Sequence, residues 1–147
     1  MNTKLQEFIQ HLSHEIEDET KAEEYIEEAL PFYENVLGLS CYAIEEVPDQ
    51  KVRTAFIRVG EVKIELLEPT SPDSTIAKFI EKNGGRGGVH HIAFAVDNLG
   101  DQLKLVEQKG VQLIDKAPRK GAENLNIAFL HPKSTLSVLT ELCESPK

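Results

Sequence analysis

The second half of this chain repeats the first. Ile26, Leu30 and Tyr33 match Leu99, Leu103 and Val106 at an offset of 73 (99 − 26), and Ala55-Phe56-Ile57 matches Ala128-Phe129-Leu130 at the same offset. Glu65-Leu66-Leu67-Glu68 matches Glu141-Leu142-Cys143-Glu144 at 76 (141 − 65), after a three-residue gap. A repeat of this length signals one supersecondary unit used twice, each copy needing a neighbour to bury a face.

Local periodicity predicts what that unit is. In the first half, Leu39–Ile44, Val52–Val59 and Val62–Leu67 are short runs rich in β-branched and aromatic residues, separated by Pro48-Asp49 and Gly60-Glu61, and they read as three antiparallel strands. Glu68 to Ser74 breaks the sheet, and Ser74 can cap a short helix over Thr75–Lys82. In the second half, a strand is predicted over His90–Val96, a helix over Leu99–Lys109, and further strands over Val111–Ile114, Asn126–Leu130 and Leu136–Cys143. The unit is thus strand–helix–three strands. Two such curved sheets give an α+β fold: tandem βαβββ modules forming an open, cleft-bearing β-barrel. With 147 residues we expect one domain, divided into an N-terminal segment 1–25, a first module 26–69, a linker with a short helix 70–89 and a second module 90–145.

The N-terminus departs from the repeat. Leu5, Phe8, Ile9, Leu12 and Ile16 recur at helical spacing, and no Gly or Pro precedes Pro31, so residues 2–30 read as helix where a strand is due. Eight of the fourteen residues from Glu15 to Glu28 are acidic, a solvated run. A second stripe, Ile26, Leu30, Tyr33 and Leu37, ends at Gly38.

Composition narrows the function. A net charge of −9 argues against nucleic acid, whose phosphates require clustered Lys and Arg. The longest apolar stretches fall well short of a membrane span of roughly 18 residues. Two cysteines, Cys41 and Cys143, form neither a CxxC pair nor a disulfide framework, and the polar N-terminus lacks a signal-peptide pattern, so a reducing cytoplasm is the expected setting. The Gly-rich stretch 84–88 contains no phosphate-binding motif.

The repeat also places possible metal ligands at matched positions. His91 precedes Glu141 by 50 residues (141 − 91), and His14 precedes Glu65 by 51 (65 − 14). Strand side chains alternate faces, so His91 shares a face with Ala93 and Ala95, while His90, Ile92, Phe94 and Val96 share the bulky face suited to packing under helices. A carboxylate such as Glu65 between apolar neighbours of a sheet is costly unless it is paired or binds a cation. Imidazole and carboxylate without thiolate suit Co2+, Mn2+, Zn2+, Ni2+ or Fe2+. Four protein ligands on a six-coordinate ion leave two positions for a bidentate substrate.

Glu46-Val47-Pro48-Asp49-Gln50-Lys51-Val52, Lys63-Ile64-Glu65-Leu66-Leu67-Glu68-Pro69, Asp73-Ser74-Thr75-Ile76-Ala77-Lys78-Phe79, His90-His91-Ile92-Ala93-Phe94 and Phe129-Leu130-His131-Pro132-Lys133-Ser134 together resemble the methylmalonyl-CoA epimerase family of the vicinal-oxygen-chelate superfamily, over about residues 26–145. The resemblance implies an isomerase of propionate metabolism that interconverts (2R)- and (2S)-methylmalonyl-CoA. It implies a homodimer, an acyl-CoA substrate and a divalent metal, often cobalt in assays. The metal ligands it implies are Glu65, His91, Glu141 and a His of the first strand. Leu12-Ser13-His14 is similar to the family's approach to that His, yet the residues after His14 make a poor strand. Either His14 ligates from an unusual segment, or residues 2–30 are helix and the site lacks one ligand. The resemblance further implies Glu141 as an acid/base, Gln50 as a partner of the substrate carboxylate or of a water, and Lys133, Ser134 and Arg119 as contacts to substrate or CoA. Some members carry a glutamate a few residues beyond the position of Gln50, where this chain has Lys51-Val52-Arg53-Thr54. Two other readings stay open: a glyoxalase I-like isomerase or lyase of the superfamily, and a non-catalytic ligand-binding relative with an altered metal site.

Overall fold

The computed structural model describes residues 25–146, and the chain divides into two compact units, residues 1–88 and 89–147. In the first unit, helix α1 spans Tyr25–Pro31 and buries Ile26 and Ala29. Pro31 cannot donate a backbone hydrogen bond, and the winding loosens to a π-helical turn over Phe32–Val36, where the Leu37 N–H reaches the Phe32 carbonyl at 3.1 Å. Gly38 ends the helix at φ +68, a conformation most side chains resist. Strands β1 (Cys41–Val47), β2 (Val52–Val59) and β3 (Val62–Pro69) then form an antiparallel sheet in the order β1-β2-β3. Ala55, Phe56 and Ile57 of the central strand are fully buried. The first strand begins and ends later than predicted, with a bulge between Cys41 and Ala43.

Helix α2 spans Thr75–Lys82, as the sequence predicts, and the Ser74 hydroxyl accepts the Ala77 N–H at 2.9 Å. Removing that acceptor with Ser74→Ala is expected to cost about 1 kcal/mol. Urea unfolding should show the loss as a lower midpoint at unchanged slope.

The second unit carries β4 (Ile92–Ala95), helix α3 (Leu99–Gln108), β5 (Arg119–Lys120), β6 (Asn126–Leu130) and β7 (Thr140–Glu144). Its mixed sheet has the order β4-β7-β6-β5, with β4 parallel to β7 and the other pairs antiparallel. Leu99 and Leu103 of α3 pack on Ala128, Leu130 and Leu142, with Val96, Val106, Val111 and Leu113 around them. The Asn98 side chain caps α3 by accepting the Asp101 N–H at 3.0 Å.

The structure departs from the sequence pattern at three places. The strand predicted over Val111–Ile114 is reduced to one bridge, Leu113 to Leu130. Both the Ile114 and Asp115 N–H groups point at the Phe129 carbonyl, and this bulge stops the ladder. The strand predicted from Leu136 starts at Thr140, because Pro132–Ser134 winds into a 3-10 turn and Leu136 and Ser137 take positive φ. The bulky face of β4 is not packed under a helix. Ile92 and Phe94 are 46% and 55% exposed, since α3 lies over β6 and β7 while β4 forms an edge.

The repeat has a physical content that the letters do not show. In the first unit Phe56 stands opposite Glu65 across β2–β3; in the second, Phe129 stands opposite Glu141 across β6–β7. At the far end of each motif the second glutamate accepts a backbone N–H of a helix. Glu68 accepts the Ile26 N–H at 2.9 Å, and Glu144 accepts the Leu99 N–H at 3.3 Å. Glu144 sits where the start of α3 presents unbonded N–H groups and a partial positive charge. The molecule is thus of the α+β class. Of the helix predicted over residues 2–30, only α1 falls on described residues; the remainder, with His14, lies outside them. Among the described residues, no helix is long and apolar enough to cross a membrane.

Candidate functional site

The second unit brings two of the predicted ligands together. His91 Nε2 lies 3.4 Å from Glu141 Oε2, and both side chains are mostly buried. Strand register explains the meeting. Ala93 pairs with Glu141 along parallel β4–β7, and alternation returns the His91 side chain to the same face two residues earlier. Glu141 also faces Phe129 across β6–β7, and the His91 ring packs edge-on to Phe129 at 5.4 Å between centroids. On the opposite face of β7, Leu142 joins the core under α3 and Glu144 caps the helix. The two glutamates of this motif therefore serve different sides of one strand. Cys143 is half-buried, and its thiol donates to the Phe94 carbonyl at 3.5 Å.

His90 is misplaced by the sequence reading, which puts it on the face away from His91. Its Nδ1 lies 3.0 Å from His91 Nδ1, with the two rings at 88°. The pairing that begins at Ile92 orients the flanking His91 but not His90, one residue further out. Burial, and secondarily the neighbouring His91, push the His90 pKa down to about 4, so it is a neutral imidazole near pH 7. The doublet His90-His91 is the sequence signal that pointed to this contact.

In the first unit, Glu65 pairs with Lys63 at 2.9 Å, two residues away on the same face of β3, and Lys63 also lies over the Phe56 ring. This pairing offsets the cost of a carboxylate in the sheet without any metal. Gln50 ends the 3-10 turn Pro48–Gln50, just before Lys51 at φ 54. Its Nε2 is buried and has no hydrogen-bond partner among the described residues.

Lys133 and Ser134 belong to the exposed turn after β6, where the His131 ring accepts the Lys133 N–H at 3.1 Å. The Ser134 hydroxyl accepts the Gln112 N–H at 2.9 Å, which leaves its proton available for donation. Arg119 pairs with Asp115 at 3.1 Å and lies over Phe129.

The donor set tests whether a metal fits. Among the described residues, no three metal-ligating side chains converge within one unit. The His91–Glu141 pair nonetheless suits a divalent ion: an imidazole nitrogen and a carboxylate oxygen face each other, and the second imidazole nitrogen has its own partner.

Known proteins agree with this architecture. The Glyoxalase/Bleomycin resistance protein/Dioxygenase superfamily matches residues 22–129. The uncharacterized protein YqjC of Bacillus subtilis (strain 168) is 50% identical over 119 residues, covering 81% of this chain and 84% of that one. The mitochondrial methylmalonyl-CoA epimerase of Homo sapiens is 37% identical over 117 residues, covering 80% of this chain and 66% of that one. A solved methylmalonyl-CoA epimerase in complex with methylmalonyl-CoA and NH4+ superposes with a TM-score of 0.76 at 35% identity, covering 81% of this chain and 85% of that one. The chain belongs to the glyoxalase/bleomycin resistance protein/dioxygenase superfamily, among relatives named methylmalonyl-CoA epimerase.

Proposed function

We propose that this chain is a methylmalonyl-CoA epimerase, an isomerase that interconverts (2R)- and (2S)-methylmalonyl-CoA. The observation that carries the reading is the His91–Glu141 pair, in a chain 37% identical to the human relative of that name. The C2 proton of the substrate lies between a carboxylate and a thioester carbonyl, which makes it removable by a well-placed carboxylate. Glu141 Oε2 faces His91, and Oε1 is left to take that proton on one face. Delivery of a proton from a water on the opposite face inverts C2, and Glu141 passes the proton it took to solvent, which completes the cycle.

His91 and Glu141 would hold a divalent cation, with cobalt, manganese, zinc and nickel as candidates. The sequence repeat nominates Glu65 and His14 as further ligands. Such an ion supplies Lewis acidity that lowers the cost of negative charge on the substrate oxygens. The unpartnered Gln50 Nε2 is a donor suited to the substrate carboxylate. Lys133 and Ser134, on the exposed turn after β6, would contact the CoA portion. A homodimer in the cytoplasm completes the reading, and two cysteines with neither a CxxC pair nor a disulfide framework suit that compartment.

Incubation of Co2+-loaded protein with methylmalonyl-CoA in D2O tests it. Deuterium should appear at C2 at a rate that scales with enzyme. Exchange no faster than the uncatalysed background would end the epimerase reading.

A further inference from the structure

Resting on the reading of His91 and Glu141 as a divalent-cation pair, we propose that His90 is the positioning residue for His91. It accepts the His91 Nδ1 proton and thereby leaves the lone pair of His91 on Nε2, toward Glu141. The two Nδ1 atoms lie 3.0 Å apart. Two imidazoles that meet through one nitrogen each share a single proton in that contact. If His90 donates, His91 carries its proton on Nε2, where it faces Glu141 Oε2 at 3.4 Å, and no cation can bind there. If His91 donates, Nε2 is unprotonated and free to ligate, and His90 holds its own proton on Nε2. Only the second arrangement makes His91 a ligand.

The surroundings favour a ring held in place. Phe129 packs edge-on against His91 at 76°, His90 meets it at 88°, and Glu141 faces Nε2. Metal-binding imidazoles usually give their second N–H to a carboxylate, a carbonyl or water. Here another imidazole takes that place. It adds no negative charge, and it can serve as donor or acceptor by moving its own proton between ring nitrogens. Cation binding therefore selects the direction of the His90–His91 hydrogen bond.

Zinc titration of the full chain against a chromophoric chelator, near neutral pH, tests this with two variants. His90→Phe keeps a ring and removes the acceptor; His90→Gln restores one through its amide oxygen. Loss of such a partner is expected to weaken zinc binding by about 10–100-fold in His90→Phe. His90→Gln should recover most of the loss. Long-range 15N–1H spectra of the zinc-loaded wild type should show the His91 proton on Nδ1 and the His90 proton on Nε2, a readout that requires no variant. Zinc affinity of a folded His90→Phe within about twofold of wild type, or an unprotonated His91 Nδ1 in the zinc-loaded spectrum, overturns the role of His90 while leaving the cation pair intact. Absence of zinc binding by the wild type overturns both.

Discussion

Replacing Glu141 by Gln is expected to lower the turnover of methylmalonyl-CoA epimerisation by about 10²–10⁴-fold at saturating metal, the range usual for loss of a positioned acid/base. The substitution keeps the shape of the side chain. Its neighbours are Phe129 across the strand pair, Ala93 on β4 and the His91 ring, and each can pack on an amide as on a carboxylate. What the amide cannot do is accept and release the C2 proton near neutral pH. Gln is also a weaker metal ligand than Glu, so activity at a single metal concentration would mix two losses. Following C2 deuterium exchange across a Co2+ titration separates them: weaker ligation shifts the concentration needed, whereas loss of the base lowers the plateau. A plateau within tenfold of wild type would remove Glu141 from the proposed proton transfer.

Much of this was legible in the letters, for reasons that differ by element. The offset between Ala55-Phe56-Ile57 and Ala128-Phe129-Leu130 revealed two copies of one unit, because each copy must bury the same central strand. The strands over Val52–Val59 and Asn126–Leu130 and the helix over Thr75–Lys82 were readable because period and caps agree. The meeting of His91 with Glu141 needed only alternation plus the repeat.

Features set by register were hidden. That each repeat places a Phe opposite its first glutamate depends on which residues pair, and single-strand patterns do not encode this. The Ile114–Asp115 bulge arises because two N–H groups share one carbonyl, an event without a composition signal. Alternation misplaces His90, which lies two residues before the strand that enforces it. The pairing of Glu65 with Lys63 follows from the sequence, since residues two apart on a strand share a face and the two carry opposite charges.

The second glutamate of each motif gives the largest expected stability effect, and the two copies should differ. Glu68 is 2% exposed, accepts the Ile26 N–H at 2.9 Å and pairs with Arg53 at 3.2 Å. Arg53 in turn bonds Glu27 of α1, and these carboxylates hold its pKa above the ordinary value for arginine. Glu68→Ala strips an acceptor from a buried N–H, breaks one of the two contacts that neutralise Arg53 and opens a small void. An unsatisfied buried donor costs about 1–3 kcal/mol, and loss of one partner of a buried ion pair costs about 3–5 kcal/mol. Arg53 keeps Glu27 and is partly solvated, so the combined cost should be smaller than the sum, about 2–4 kcal/mol. For a chain of this length that corresponds to a fall in Tm of roughly 6–12 °C.

Glu144 is half-buried, accepts the Leu99 N–H at the longer distance of 3.3 Å, and has no arginine partner among the described residues. Glu144→Ala should therefore cost about 1 kcal/mol, the usual value of a helix cap. Thermal unfolding of both variants without added metal measures the difference. Equal losses would mean that Arg53 contributes nothing at Glu68 and that the hydrogen bond to the helix N–H alone sets the cost in both copies.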